Sequence, residues 1–153
     1  MGTPYATIYN RFLLKITDYS LTELPDAVVD VMMHGYLMSA IAGISVRELR
    51  EHVSEYDDSQ EAFVYDLTNL EQEILALGMV ESWVEPMIYS ITLTQQMVGT
   101  KQTNYFSQSS HLNALVSLQD NVRKKKNKLI SEYKAFHNSY LGTEEKAVKP
   151  EEP

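Results

Sequence analysis

The chain has 153 residues, a formal net charge of -8 at pH 7, and an ordinary globular composition of 44% hydrophobic and 22% charged residues. It contains no cysteine, which excludes disulfides, thiolate catalysis and cysteine-ligated zinc. No signal peptide is evident, and no apolar run approaches the length of a membrane span, so no membrane contact is expected. A chain of this length fits one domain of common size.

The charges are unevenly distributed along the chain. Residues 1–122 hold 5 Lys/Arg and 16 Asp/Glu, whereas residues 123–141 hold 6 and 1. An acidic body with one short basic segment favours head-to-tail contact between copies, or contact with an acidic partner. It argues against a body that wraps nucleic acid, because binding to phosphates needs a broad positive surface. We call the cluster of cations the basic band: Arg123, Lys124, Lys125, Lys126 and Lys128.

The basic band has two interpretations. A run of charges is usually a solvated helix face, and no interleaved aromatic residues support base stacking here. Direct contact with DNA is the alternative. Because the band is the strongest cationic feature of the chain, its five residues are candidate partner-binding residues in either case.

Two amphipathic helices are predicted in the first third of the chain. Thr3-Pro4 predicts a helix start, with a capping hydroxyl followed by proline at the first helical position. Apolar residues at helical spacing continue from there to Ile16. Pro25-Asp26 predicts the start of a second helix with a wide apolar stripe. Both helices are expected to belong to the core, although the first would also suit an arm that docks on a neighbouring copy.

The segment from residue 45 to residue 65 has the weakest pattern. Residues 46–53 allow one or two helical turns, and residues 56–59 resemble a turn. Residues 62–65, with the sequence AFVY, favour extended structure. They predict either a single strand, whose open edge would suit another chain, or extended chain that lies on the bundle.

A long helix is predicted after Thr68. Thr68 and Glu71 have the spacing of a capping box, in which each side chain accepts a hydrogen bond from the backbone N–H of the other residue. The apolar pattern continues past Trp83, which is expected to anchor the core. Proline has no backbone N–H, so a kink or a break is predicted at Pro86.

Residues 99–110 predict a polar loop that contains two aromatic residues, Tyr105 and Phe106. Aromatic side chains in a polar loop are either held beneath the loop or bound to a partner. Ser107 or Ser109 is expected to cap the next helix. We consider Tyr105 and Phe106 candidate contacts with the next copy or with another protein.

The last helix is predicted to begin at Ser110. Its apolar residues alternate at spacings of three and four, which is typical of a coiled-coil seam: Leu112, Leu115, Val122, Leu129, Tyr133, Phe136 and Tyr140. Gln119 and Lys126 interrupt the seam, which would pack within its own bundle or along a helix of another copy. Gly142 predicts the helix end. Residues 1–141 are therefore predicted to form a single all-α helical bundle, and residues 142–153 an acidic tail that is flexible or ordered by a partner.

No catalytic or metal-binding motif is evident. The chain has no glycine-rich phosphate loop, no acidic calcium loop and no His-Glu-x-x-His, and its four histidines lack the spacing of metal ligands. His34 is expected to be a core or boundary residue. The acid pairs Asp57-Asp58 and Glu71/Glu73 are expected to be solvated surface groups. We therefore expect neither an enzyme nor a bound cofactor.

Three stretches resemble small virion proteins of tailed bacteriophages, the head–tail connector (neck, adaptor) family. They are residues 8–13 (IYNRFL), residues 79–86 (MVESWVEP) and residues 105–112 (YFSQSSHL), and they keep the order found in that family. None of them is a chemical motif. Residues 45–60 and the segment after Gly142 match the family least, so contacts with particular partners are expected to differ there.

The resemblance implies a structural role in the virion neck for a protein made in the host cytoplasm. It implies a ring of copies, twelvefold, between the portal protein and the tail or a second neck protein, with DNA passing through the channel. A tail-completion or terminator protein is the alternative virion role. A small nucleic-acid-binding regulator that uses the basic band is a third interpretation.

Overall fold

The computed structural model describes the backbone of residues 1–16, 19–98 and 103–147, and the side chains of residues 1–16, 21–95 and 109–137. Five α-helices dominate it, as predicted: α1 (Tyr5–Leu13), α2 (Asp26–Ala42), α3 (Arg47–Ser54), α4 (Asn69–Val98) and α5 (Thr103–Ala147). A short 3₁₀ helix spans Tyr19–Glu23, within the stretch between α1 and α2. Two short strands, β1 (Tyr56–Asp57) and β2 (Ala62–Phe63), lie between α3 and α4.

The central element is α4, which contacts α1, α2 and α5. A helix surrounded on several sides must be apolar on several faces. This explains the fully buried residues of its first half: Ile74, Leu75, Ala76, Met79, Val80 and Val84. Each large apolar side chain that leaves water here contributes about 1.5–3 kcal/mol of transfer free energy. The bundle is therefore organised around residues 69–88.

A close helix crossing joins α2 to α4. A Cβ built on Gly78 would lie 2.8 Å from the Cβ of Ala40, so the absence of a side chain at Gly78 allows the two backbones to approach. Next to this crossing, the ring of Phe12 lies 5.9 Å from that of Tyr36 and 6.5 Å from that of Trp83. Trp83 is partly buried against the core, in agreement with its predicted role.

The extended segment near residues 62–65 is part of a three-part β arrangement. β1 and β2 pair as an antiparallel hairpin, and Pro4 forms a bridge with Ala62 on the other side. The Phe63 N–H donates to the carbonyl of Thr3 at 2.9 Å, and the Thr3 N–H donates to the carbonyl of Tyr65 at 3.1 Å. The prediction of a single strand with an open edge is therefore wrong, because the N-terminal residues cover that edge.

The N-terminus of α1 differs from the prediction for the same reason. Pro4 is the N-cap of α1, and no side chain caps the helix. The hydroxyl of Thr3 instead accepts a hydrogen bond from the Leu67 N–H at 2.8 Å. The Thr3 hydroxyl thus binds the backbone just before α4 and does not cap α1.

The start and the interior of α4 test the capping and proline predictions. The capping box is confirmed: Glu71 accepts the Thr68 N–H at 2.7 Å, and the Glu71 N–H donates to the Thr68 hydroxyl at 3.3 Å. Of the two alternatives at Pro86, the break is wrong, because α4 continues through Pro86 to Val98, and the kink stays a prediction. An interior proline costs about 3 kcal/mol. The packing of α4 on both sides of Pro86 outweighs that cost.

At 45 residues, α5 is the longest helix, with a length of about 68 Å. It begins at Thr103 and continues through Gly142, so the predicted loop up to residue 110, the predicted caps at Ser107 and Ser109, and the predicted end at Gly142 are wrong. Glycine inside a helix costs only about 1 kcal/mol relative to alanine, and serine less. Residues 142–147 of the predicted tail are helical, whereas residues 99–102 and 148–153 lie outside the described residues.

The seam of α5 packs against α4 in antiparallel orientation. Gln95 of α4 donates a hydrogen bond to Ser109 at 3.3 Å, and Glu81 accepts one from Arg123 at 3.1 Å. Seam residues such as Leu115, Val122, Leu129 and Tyr133 are buried or half-buried, so packing within the bundle is confirmed. Phe136 does not follow the pattern, since 77% of it is exposed.

The exposure of Phe136 follows from the unequal lengths of the paired helices. The contacts at Gln95 and Glu81 place the first residue of α4, Asn69, opposite about residue 135 of α5 at equal rise per residue. From there to Ala147, α5 extends past the end of α4. The apolar periodicity therefore continues beyond the element that covers it.

Candidate interaction surfaces

The structure divides the basic band into two groups. Arg123 and Lys126 both bind Glu81 of α4, the first through Nε at 3.1 Å and the second through its ammonium group. The Lys126 and Glu81 side chains are only 16% and 14% exposed, so this pair lies largely within the α4–α5 interface. It explains why a lysine interrupts the apolar seam. Lys126 is therefore unavailable as a free positive surface, whereas the Arg123 side chain is 53% exposed.

The remaining cations of the band are on the outside of α5. Lys124, Lys125 and Lys128 are exposed, and none of them forms an ion pair with another residue of the described part of the chain. Lys125 is nevertheless close enough to Glu73 to affect its carboxyl group. Burial raises the pKa of Glu73, but the hydrogen bond from Lys15 and the charges of Lys15, Arg11 and Lys125 together hold that pKa below its ordinary value.

Next to Lys125, a shallow groove of about 270 Å³ runs between α4 and α5. Its floor is apolar and two ammonium groups flank it, so we call it the lysine-rimmed groove: Lys15, Leu77, Val80, Leu118, Val122 and Lys125. Leu118 is 38% exposed although it is apolar. Leu118, Lys125 and Lys128 recur at helical spacing and share one face of α5. The groove thus combines an apolar surface with positive charge.

A second concave surface of about 580 Å³ lies at the end of the α4–α5 pair where α4 begins. It is enclosed by α3, the first turn of α4, and α5 where α5 passes the end of α4. We call it the aromatic cleft: Glu48, His52, Leu70, Glu71, Tyr133, Phe136 and His137, with Thr68 at its edge. The rings of Tyr133 and His137 stack with centroids 6.0 Å apart.

Glu71 is the most deeply buried ionisable group of the aromatic cleft, at 2% exposure. Its carboxylate accepts the Thr68 N–H at 2.7 Å and the Thr68 hydroxyl at 3.0 Å, and it lies 2.7 Å from Nδ1 of His52. The prediction that Glu71 is a solvated surface acid is therefore wrong. The same contacts occupy both carboxylate oxygens, so the group acts as a structural tie between α3 and α4.

The aromatic cleft has a negative electrostatic character. Burial raises the pKa of the Tyr133 phenol, and the charges of Glu71 and Glu48 raise it further. A phenol resists ionisation near carboxylates because a second negative charge would be repelled. A cleft with apolar and aromatic walls and nearby negative charge would suit a partner surface that combines an apolar side chain with cations.

A smaller cluster surrounds Tyr5 at the interface between α1 and the β-hairpin. The Tyr5 hydroxyl donates to Asp58 at 2.8 Å, and Nε2 of His34 lies 3.8 Å from the same carboxylate. Burial raises the pKa of Tyr5, and the bond to Asp58 raises it further. Burial also raises the pKa of Tyr9 to about 12, with added repulsion from nearby acids, first Glu61. These groups bind one another and hold the hairpin on α1.

Tyr105 and Phe106 lie in the first turn of α5 and not in a loop. Their side chains are outside the described residues, so contact with a neighbouring copy or with another protein stays a prediction. Among the residues whose placement is described, no group of three or more His, Asp or Glu side chains has an arrangement that would hold a metal ion.

The apolar composition of α4 bears on the prediction that the protein has no membrane contact. Residues 69–95 are long and apolar enough to pass a test for a membrane-spanning helix, contrary to the expectation from the sequence. The central helix of a bundle passes the same test, and 44% of the tested window is buried by other helices. The test is therefore weak evidence, and the absence of membrane contact stays a prediction.

No protein-family model, no curated protein and no solved structure matches the chain.

Two features of these surfaces escape reasoning from the sequence pattern. The spacing places Phe136 in the seam, and only the observed register between α4 and α5 shows that it lies beyond α4. The Glu71–His52 contact joins residues 19 positions apart, through a hairpin that the pattern does not predict. No local signal in the sequence identifies such a pair.

Proposed function

We propose that the protein is a structural subunit of a phage particle, a head–tail connector (adaptor) that assembles as a ring between the portal and the tail. The observation that carries the proposal is the presence of two unlike surfaces on one rigid helix pair. The aromatic cleft is apolar and negative, whereas the lysine-rimmed groove is apolar and positive. Unlike surfaces on the same subunit give head-to-tail contacts, which close into rings when the rotation permits.

The polar groups of the aromatic cleft already have partners within the chain, which supports a structural role over an enzymatic one. In the aromatic cleft, Glu71 is engaged with Thr68 and His52, and His52 also stacks on Tyr65 with ring centroids 4.7 Å apart. An acid–base catalyst needs a group that can reach substrate. The groups here are bound to their neighbours in ways that stabilise the bundle.

The geometry gives less support to a nucleic-acid-binding regulator. Arg123 and Lys126 both pair with Glu81, and Lys126 is largely covered. The few exposed cations of the band give only a weak contact with phosphates, because that affinity grows with the number of phosphates neutralised. The resemblance of residues 8–13, 79–86 and 105–112 to connector proteins supports the virion role independently.

Mass spectrometry of gradient-purified particles tests the proposal. The protein is expected in the particles at a stoichiometry similar to that of the portal protein, and in complexes recovered with the portal. Its absence from intact particles would contradict any virion role. Recovery with tail tubes but not with portals would instead support the tail-completion or terminator role.

A further inference from the structure

Phe136 is a large aromatic side chain that its own chain leaves 77% exposed, at the point where α5 passes the end of α4. Exposed single apolar residues are common, but this one stands at the edge of the aromatic cleft and continues the apolar seam. A side chain of this kind is typical of the central anchors of protein interfaces, which fill a pocket on the partner.

The chain itself contains a pocket of suitable character. The lysine-rimmed groove has an apolar floor formed by Leu77, Val80 and Val122, with Lys15 and Lys125 beside it. An aromatic ring on such a floor would bury apolar area and place its face near the ammonium group of Lys125, a contact that a cation favours, whereas the ammonium group of Lys15 is bound to Glu73.

Phe136 cannot reach this groove within one molecule. Eleven residues of continuous helix separate Lys125 from Phe136, which corresponds to about 16 Å along α5. A helix does not fold back on itself, so a contact between the two surfaces has to join two copies.

The charges of the two surfaces are complementary. Glu48 places an exposed carboxylate at the cleft beside Phe136. Lys125 lies at the groove, with Lys124 and Lys128 nearby on α5, and none of the three has an ion pair in the described part of the chain. Opposite potentials on facing patches favour the correct orientation of two proteins and suppress others.

We propose that Phe136 of one copy inserts into the lysine-rimmed groove of a second copy, so that the acidic side of the aromatic cleft faces the second copy's lysines. This contact deepens the proposed function, on which it rests, because it names the surfaces that join neighbouring ring subunits. It is a heterologous contact, so a pair of copies keeps one unused groove on the first copy and one unused cleft on the second for further copies.

Two variants, each defective in one surface, test the contact. Phe136→Asp removes the anchor and adds negative charge, whereas the triple variant Lys124→Glu/Lys125→Glu/Lys128→Glu reverses the charge beside the groove. Val31→Asp, at an apolar residue of α2 that is 74% exposed, is the matched control for Phe136→Asp. Lys134→Glu, at an exposed lysine of α5 outside the band, is the control for the charge change. Circular dichroism confirms that each variant is folded.

Sedimentation over a concentration series gives the readout. The wild type and both controls are expected to associate, and each defective variant is expected to lose association by about thirtyfold or more. An equimolar mixture of the two defective variants is expected to form heterodimers and nothing larger, because one intact Phe136 and one intact groove remain between them. Any of three results would overturn the proposal. They are a wild type that stays monomeric to its solubility limit, a defective variant that associates normally, and a mixture that stays monomeric.

Disulfide trapping provides a second measurement, since the chain has no cysteine of its own. His137→Cys lies beside Phe136, and Asn121→Cys lies at the groove. A mixture of the two single-cysteine proteins is expected to form cross-linked dimers much faster than either protein alone. Equal rates would overturn the contact. If the two copies do not make this contact but the protein is found in particles, the contact is wrong and the proposed function stands. If the contact forms but particles lack the protein, the virion role is wrong.

Discussion

Glu71 connects α3 to the start of α4 through a single carboxylate. It completes the cap of α4 through Thr68 and contacts His52 of α3, while remaining 2% exposed. A buried carboxylate is stable only when its hydrogen-bonding capacity is used, and here both oxygens have partners. The position of α3 against α4, and with it one wall of the aromatic cleft, therefore depends on this residue.

Glu71→Ala is expected to lower the free energy of unfolding by about 2–3 kcal/mol, because it removes a helix cap and leaves the Thr68 N–H and His52 without their partner. Urea unfolding monitored by circular dichroism measures the change. Glu51→Ala, which breaks only the exposed contact with Arg47, is the control and should change stability little. A Glu71→Ala protein as stable as this control would show that the buried carboxylate contributes nothing.

The buried tyrosines predict a loss of stability at alkaline pH. The pKa of Tyr9 is raised by burial from its ordinary 10.0 to about 12 in the fold, and that of Tyr5 is also raised. A raised pKa in the folded state means that this stability is complete below pH 10 and is lost as the pH rises through about 12.

Urea unfolding of the wild type and of Tyr9→Phe across this pH range checks the prediction. The variant is expected to lose less stability between pH 10 and about 12, because phenylalanine has no proton to release. Identical pH dependence of Tyr9→Phe and the wild type would contradict the assignment.

At the scale of the elements, the pattern of the sequence predicts the helices better than their ends. Spacing at three and four residues identifies the seam of α5 and its burial against α4. The same pattern cannot reveal that α5 continues through Gly142, since the small cost of one glycine is outweighed by neighbouring helical residues. The bridge between Pro4 and Ala62 joins segments far apart in the chain, so no local pattern predicts it.

Two glycines provide a matched test of the crossing between α2 and α4. Gly35 is an exposed helical residue, and nothing lies within 4 Å of the position that a Cβ would take there, whereas a Cβ on Gly78 would lie 2.8 Å from that of Ala40. Gly35→Ala is expected to raise the free energy of unfolding by about 0.5–1 kcal/mol. Gly78→Ala is expected to lower it by about 1–3 kcal/mol, because the helices must separate.

Thermal and urea unfolding of the two proteins measure both changes. Gly35→Ala is the internal control, since the same substitution is made in the same kind of helix without a neighbour. If both substitutions stabilise the protein, the close approach of α2 and α4 at Gly78 is contradicted.

For the whole molecule, the sequence predicts the candidate site only in outline. The basic band is correctly recognised as a cluster of cations, but the pairing of Arg123 and Lys126 with Glu81 depends on the register between α4 and α5. Phe136 becomes a candidate anchor only when the unequal lengths of the two helices are known. Contacts between surfaces of different elements are set by packing, which one-dimensional periodicity does not contain.

The arrangement of these surfaces suits a subunit that joins copies head to tail. The aromatic cleft and the lysine-rimmed groove lie at different positions along α5, and a rigid helix pair keeps their separation constant. A constant separation between two complementary patches gives each added copy the same rotation relative to the last. Repeated rotations of equal size produce a closed ring or an open helical filament.

Electron cryomicroscopy of the neck of the intact particle tests the proposed connector role most directly. We expect a ring of density beneath the portal whose subunits each show a helix of 45 residues paired with one of 30, with Phe136 against the groove of the neighbour. A neck map that accounts for every subunit without these paired helices would contradict the connector role.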